Sequence, residues 1–150
     1  MDTIDILHKT LLFRGCNKED LELVAGLFQQ RVVKPNMTIF TEKMPAEALY
    51  IIKSGSIRIT TMAGEGEEVG LLHLGPGDFF GEIALLQESS RAVTARAESM
   101  TEVLMLTRKD FQALIDLDPR IAAKVTLSIA RLLAMRVKAY STKLRDILLS

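Results

Sequence analysis

The stretch Phe80-Gly81-Glu82-Ile83-Ala84-Leu85-Leu86-Gln87-Glu88-Ser89-Ser90-Arg91-Ala92-Val93 sets Glu82 and Arg91 at either end of a short segment that begins apolar. Gly81, directly before the acid, lets the backbone approach a ligand closely, and the apolar run suits a short helix whose first N–H groups face an anion. A guanidinium holds two phosphate oxygens at once, whereas an ionised glutamate only accepts hydrogen bonds, as from a sugar hydroxyl. The chemistry points to a small ligand carrying both groups, such as a ribose phosphate. The alternative is an ordinary ion pair bracing a turn.

The segments around this stretch alternate between β-branched runs and turn residues. Arg31–Lys34, Met37–Phe40, Leu49–Lys53, Ser56–Thr61, Glu68–Leu74, Ala92–Ala97 and Thr101–Leu106 read as short strands. Pro35-Asn36, Ser54-Gly55, Ala63-Gly64-Glu65-Gly66 and Gly75-Pro76-Gly77-Asp78 punctuate them. Many short strands at near-regular spacing predict a mainly β fold, a jelly roll (double-stranded β-helix) with flanking α-helices.

Helical patterns lie on both sides. Asn17 caps a predicted helix carrying Leu21, Leu23, Val24, Leu27 and Phe28 on one face. After Thr107, Phe111, Leu114 and Ile115 mark a short helix that stops near Asp118-Pro119, and Pro119 can open another. No glycine or proline occurs from Arg120 to Ser150, so a continuous helix of about eight turns is expected there. Thr126, Ala130, Leu133, Val137, Tyr140, Leu144 and Ile147 follow alternating steps of four and three, a heptad seam suited to pairing with a second copy. The expected organisation is a single domain over 1–150: N-terminal helices to about 30, strands over 31–107 with the quoted segment at 80–93, and helices over 108–150.

Composition narrows the setting. At 150 residues and 48% apolar content the chain supports one well-buried core. Nineteen basic residues balance nineteen acidic ones, so any anion site is local and no global field draws the protein to nucleic acid. Cys16 is the only cysteine, which excludes an intramolecular disulfide and fits a cytoplasmic location. The N-terminus does not read as a signal peptide, and charges interrupt every apolar run before the ~20 residues a membrane-crossing helix needs.

Phe-Gly-Glu-aliphatic-Ala-Leu followed by Arg-Ala resembles the phosphate-binding cassette of cyclic nucleotide-binding domains, as found in protein kinase A regulatory subunits and catabolite-activator-type regulators. Leu49-Tyr50-Ile51-Ile52-Lys53-Ser54-Gly55-Ser56-Ile57 resembles that family's early strand and glycine turn. Gly75-Pro76-Gly77-Asp78-Phe79-Phe80 resembles its lead-in to the cassette. The resemblance implies that Arg91 pairs with the cyclic phosphate, that Glu82 accepts the ribose 2′-hydroxyl, and that Gly81, Ile83, Ala84 and Ala92 add backbone contacts. With no ligand bound, Arg91 would pair with Glu82 or with water. Members that favour the guanine nucleotide often place a hydroxyl residue after the arginine, so Ala92 leans towards cyclic AMP over cyclic GMP. Approximate alignment sets Ile59, Leu71, Leu74 and Phe79 against the base. It also puts Arg136 and Val137 where relatives use hydroxyl side chains, and Arg136 is either a cation–π lid on the purine or a solvated helix residue.

Other chemistry finds little support. Neither glycine cluster continues as G-x-G-x-x-G between a strand and a helix. His8, His73 and Cys16 form no spaced ligand set, so no metal or cofactor is expected. No nucleophile, base and orienting acid form a recognisable set, and no enzyme activity is expected. Lys138, Lys143 and Arg145 read as a solvated face, and no helix-turn-helix reader follows, so direct DNA binding is not expected. The function expected is a regulatory module whose ligand repositions the C-terminal helices to signal to an unknown output protein or an output domain, with a homodimer formed through 120–150. The alternatives are a protein-interaction scaffold with an unoccupied cassette, and the sensor part of a transcription regulator.

Overall fold

Capping boxes open the first two helices: Asp2 with Asp5 begins α1 (Thr3–Lys9), and Asn17 with Asp20 begins α2 (Lys18–Ala25). The computed structural model describes residues 2–64 and 66–149. Strands β1 (Gln29–Val33), β2 (Thr38–Phe40), β3 (Ala48–Ser54), β4 (Ile57–Ala63), β5 (Glu67–Leu74) and β6 (Phe79–Phe80) follow. A four-residue helix α3 (Ile83–Leu86) precedes β7 (Thr94–Ala97), β8 (Thr101–Thr107), α4 (Arg108–Leu117) and α5 (Pro119–Leu149). The strands form two antiparallel four-stranded sheets, ordered β1-β8-β3-β6 and β2-β7-β4-β5.

Period-2 geometry explains why β3 reads as an unbroken apolar run. Leu49 and Ile51 face the helices, packing with Leu104 and Leu106 of β8, with Ile6, Leu7, Leu21 and Val24, and with Phe111 and Leu114. Ala48, Tyr50 and Ile52 face the other sheet, packing with Val103, Met105, Phe40, Ile57, Ile59 and Ala95. β3 is therefore buried on both faces. The β3–β4 hairpin turns at Gly55, where φ is +91° and a Cβ would stand 2.6 Å from the Met100 carbonyl oxygen.

Several element boundaries differ from the sequence pattern. Gly26 ends α2, so Leu27 and Phe28 lie beyond it, though both still pack on the helical core. Leu23 and Ile115 are exposed, leaving Leu21 and Val24, and Phe111 and Leu114, as the buried pairs of α2 and α4. Ala92 and Val93 precede β7 because Ser90 bridges Pro45 and the Arg91 N–H donates to the Met44 carbonyl, which keeps them out of the sheet. On α5, Ile121, Ala122, Val125 and Ile129 are buried, Leu133 is half-buried against the same core, and residues 134–149 are exposed. The seam positions Val137, Tyr140, Leu144 and Ile147 thus lie past the part of α5 packed in the helical core.

Asp20 links the two ends of the helical layer. Its carboxylate accepts the Asn17 N–H at 3.1 Å, pairs with Arg120 at the start of α5, and stands 3.8 Å from Lys124. The Arg120 hydrogen bonds are the main cause that lowers the Asp20 carboxyl from its ordinary 3.8 to about 2. A carboxyl depressed in the folded state stabilises the fold above its unfolded value. The contribution fades as pH falls from about 4 to about 2. Asp20→Asn should lower stability at neutral pH by about 2 kcal/mol, as for loss of hydrogen bonds to a charged group. Acid titration of thermal stability should then show a smaller loss between about pH 4 and 2 in the variant than in the wild type.

Candidate functional site

At the end of β6 the chain turns on Gly81, whose φ is +79°. A Cβ at this position would stand 2.6 Å from Arg91 Nη1 and 3.1 Å from the Ala48 carbonyl oxygen. The glycine therefore serves two needs, a left-handed backbone and close packing of the arginine head.

Arg91 is 8% exposed. Its N–H donates to the Met44 carbonyl and its own carbonyl accepts from Lys43, both at 2.8 Å. The side chain donates from Nη2 to the Ala48 carbonyl at 2.7 Å and lies 4.0 Å from the centre of the Phe40 ring. Tyr50 and Phe80 stack at 5.4 Å beside that ring, so aromatic surface holds the guanidinium in place. Among the described residues no acid forms an ion pair with it, and Nε is buried without a partner. Burial pushes this guanidinium below its ordinary value, while Tyr50, Glu47 and Glu82 pull it the other way.

The expected pairing of Arg91 with Glu82 is not formed. Glu82 instead pairs with Arg136 of α5, 54 positions along the chain. Arg136 is neither stacked in isolation nor wholly solvated, the two arrangements considered from the sequence, because it reaches the one acid of the site. The Ala84 and Leu85 N–H groups donate to the carbonyls of Gly81 and Glu82, and α3 has only four residues, so the main positive group of the site is Arg91.

These groups surround one cavity of about 480 Å³. Gly81, Glu82, Ile83, Ala84, Arg91 and Ala92 supply the cassette side. Ile59, Leu71, Leu74 and Phe79 supply an apolar wall, and Arg136 the contribution of α5. The residues singled out from the sequence for the ligand and its base thus line a single space of a size typical for small-molecule sites, except Val137, which is exposed on α5 outside it. Leu71 and Leu72 of edge strand β5 are exposed towards it, which accounts for apolar side chains on a strand that no element covers. Among the described residues no cluster of His, Cys, Asp and Glu is placed to hold a metal ion. Among the same residues, no helix is long and apolar enough to cross a membrane.

Sequence reasoning missed three contributors. Phe40 lies on a strand far from the cassette and carried no local signal. Tyr140 also lines the cavity, one turn beyond Arg136, and that i, i+4 spacing was a usable signal although the seam had claimed the residue. Arg108, the first residue of α4, donates from Nη1 to the carbonyls of Ala46, Ala84 and Gln87 at 3.0, 3.1 and 3.3 Å. It satisfies the C-terminal carbonyls of α3 and ties the cassette to α4. Arg108→Ala should cost about 2 kcal/mol by leaving buried acceptors unpaired. Amide hydrogen exchange should quicken over 82–91 and remain unchanged in β3 and β8.

Known proteins agree with this geometry. The family model for the cyclic nucleotide-binding domain matches residues 30–118. The cyclic AMP receptor protein of Thermus thermophilus is 38% identical over 120 residues, covering 80% of this chain and 56% of that protein. The crystal structure of the Thermus thermophilus catabolite activator protein superposes with a TM-score of 0.83 at 36% identity, covering 92% of this chain and 63% of that one. The regulatory domain of Toxoplasma gondii PKA, solved with cAMP, gives 0.68 at 32% identity over 74% of this chain and 42% of that one. The chain spans from 27% to 62% of the length of the relatives it matches. The two sheets and flanking helices are the β-roll of these proteins. The cradle of Gly81, Glu82 and Arg91 falls within the matched span, and the chain belongs to the cyclic nucleotide-binding domain family.

Proposed function

We propose that residues 1–150 form one regulatory module that binds a cyclic nucleotide, cyclic AMP in preference to cyclic GMP, and passes its occupancy to the C-terminal helices. The observation that carries this reading is the buried Arg91 guanidinium, held at a cavity wall by a carbonyl and an aromatic ring with no acid paired to it. A buried cation of this kind is costly unless an anion completes it, and a cyclic phosphate carries one negative charge. Glu82 accepts the ribose 2′-hydroxyl, and the backbone of Gly81, Ile83, Ala84 and Ala92 lines the phosphate end. Ile59, Leu71, Leu74 and Phe79 receive the purine.

Ala92 supports the adenine preference because it offers no hydroxyl to a guanine amino group. Transmission is supported by two contacts. Arg108 joins the cassette to α4, and Arg136 joins the site to α5, so the site and the helices share groups through which a ligand that favours one helix position would shift the balance. The module acts by binding rather than by catalysis, and signals to a partner or output domain.

A homodimer through residues 120–150 is part of the same proposal. Val137, Tyr140, Leu144 and Ile147 repeat at heptad spacing on the part of α5 that the β-roll leaves exposed. Val137→Glu combined with Leu144→Glu should convert a dimer to a monomer in sedimentation velocity without lowering the melting temperature of the β-roll.

Calorimetry tests the ligand assignment. Cyclic AMP should bind more tightly than cyclic GMP, and at a hundred times Kd should stabilise the fold by about 2.7 kcal/mol. Arg91→Ala should weaken cyclic AMP binding by at least about a hundredfold, the loss expected for a buried charge-assisted contact. If neither nucleotide shifts the wild-type melting temperature at millimolar concentration, the scaffold alternative replaces this reading.

A further inference from the structure

α5 carries seven of the nineteen basic residues and one of the nineteen acidic ones, a net charge of +6, and the rest of the chain, with twelve against eighteen, carries −6. Lys124, Arg131, Lys138 and Arg145 recur at steps of seven, with Ser128, Met135, Thr142 and Leu149 between them at steps of four and three. That spacing lines all eight along one face of the helix. Lys124 is tied to the core, donating to the Gly15 carbonyl at 2.7 Å and standing 3.8 Å from Asp20. From Arg131 onwards every member of the row is exposed, and among the described residues no acid forms an ion pair with Arg131, Lys138 or Arg145. We propose that this row is the docking face for an acidic amphipathic helix of a partner protein. The proposal rests on the reading of the chain as a signalling module and names the chemistry of what it signals to.

Three observations select this occupant. The first is position: at about 100° per residue the cations lie roughly 130° around the helix from the centre of the seam of Leu133, Val137, Tyr140 and Leu144, so the row stays open in the proposed dimer. The second is the alternation of cations with exposed Met135 and Leu149. Successive cations stand about 10.5 Å apart along the axis, the repeat of a second helix laid beside the first, and the apolar residues between them give that helix contact between its ion pairs. The third is charge. A flat anionic membrane or a duplex would meet the acidic remainder of the chain as well as α5 and be repelled by it, whereas a single helix laid along residues 131–149 meets only the basic element.

The probe is a helical peptide of about three heptads with Glu and Leu at alternating steps of three and four, and its control has the same composition with those residues out of register. The full chain should bind the probe at least about tenfold more tightly than the control, with an affinity that falls as salt rises. Arg131→Glu combined with Lys138→Glu and Arg145→Glu should weaken the probe by about tenfold or more, and a peptide with Lys in place of Glu should bind this variant in preference to the wild type. Should charge reversal unfold α5, the three residues changed together to alanine should give a loss of about tenfold. Equal binding of probe and control, or undiminished binding by the variants, would overturn the proposal. A preference for phosphatidylserine vesicles or for duplex DNA over the probe would overturn it as well.

Calorimetry with cyclic AMP distinguishes failure of this proposal from failure of the reading beneath it. None of Arg131, Lys138 and Arg145 lines the ligand cavity, so the variants should bind the nucleotide as the wild type does. Nucleotide binding without probe binding would overturn the docking face and leave the cyclic nucleotide reading in place. Probe binding by a wild type that takes neither nucleotide would overturn that reading and leave the docking face on a scaffold.

Discussion

Strand β3 bears on both cores at once, and the rest of the molecule is arranged around that constraint. Its alternate side chains close the helical layer on one face and the space between the sheets on the other, so no shift along its axis is tolerated without exchanging the two sets. The carbonyl that holds the Arg91 guanidinium belongs to Ala48, the first residue of this strand. The residue next to it, Glu47, accepts the Arg108 N–H that starts α4. A rigid element thus fixes both the cation of the site and the root of the C-terminal helices.

Around that line the site is assembled from parts that differ in burial. Arg91, Gly81 and the aromatic rings of Phe40, Tyr50 and Phe80 are packed against the sheet interior. Glu82 is buried too, but its partner comes from the solvent-facing side of a helix. The Arg91 end of the cavity is therefore preorganised by the β-roll, while the Glu82 end depends on where α5 lies. In the proposed function, preorganisation reduces the ordering cost of binding at the first end, and the second end couples occupancy to helix position.

The cassette and the strand pattern were legible because their signals are local: a glycine before an acid, an arginine nine positions on, β-branched runs between turns. The gathering of Ile59, Leu71, Leu74 and Phe79 on one wall was legible through family resemblance, since alternation alone predicts core equally well. What stayed hidden involves distance along the chain. Arg108 bonds carbonyls 21 to 62 positions away, and backbone acceptors carry no residue identity to read. Arg136 meets Glu82 across 54 positions, and only the fold decides that this helix arginine rather than Arg91 is the partner. β6 escaped notice because two residues, Phe79 and Phe80, are too few to show a period. Ile115 misled because one apolar residue adjoining a buried pair looks periodic by chance.

The part of α5 packed in the helical core ends near Leu133; of residues 134–149, Arg136 and Tyr140 reach the cavity wall and the stretch as a whole is exposed. At a rise of about 1.5 Å per residue this stretch is roughly 24 Å long. It behaves mechanically as a pointer with its pivot close to Arg136. A tilt of about 10° at the pivot, comparable to a sub-ångström change among the packed side chains there, carries the far end by about 4 Å. On this geometry, a displacement too small to alter the β-roll would become a movement as large as a side chain at the far end of α5.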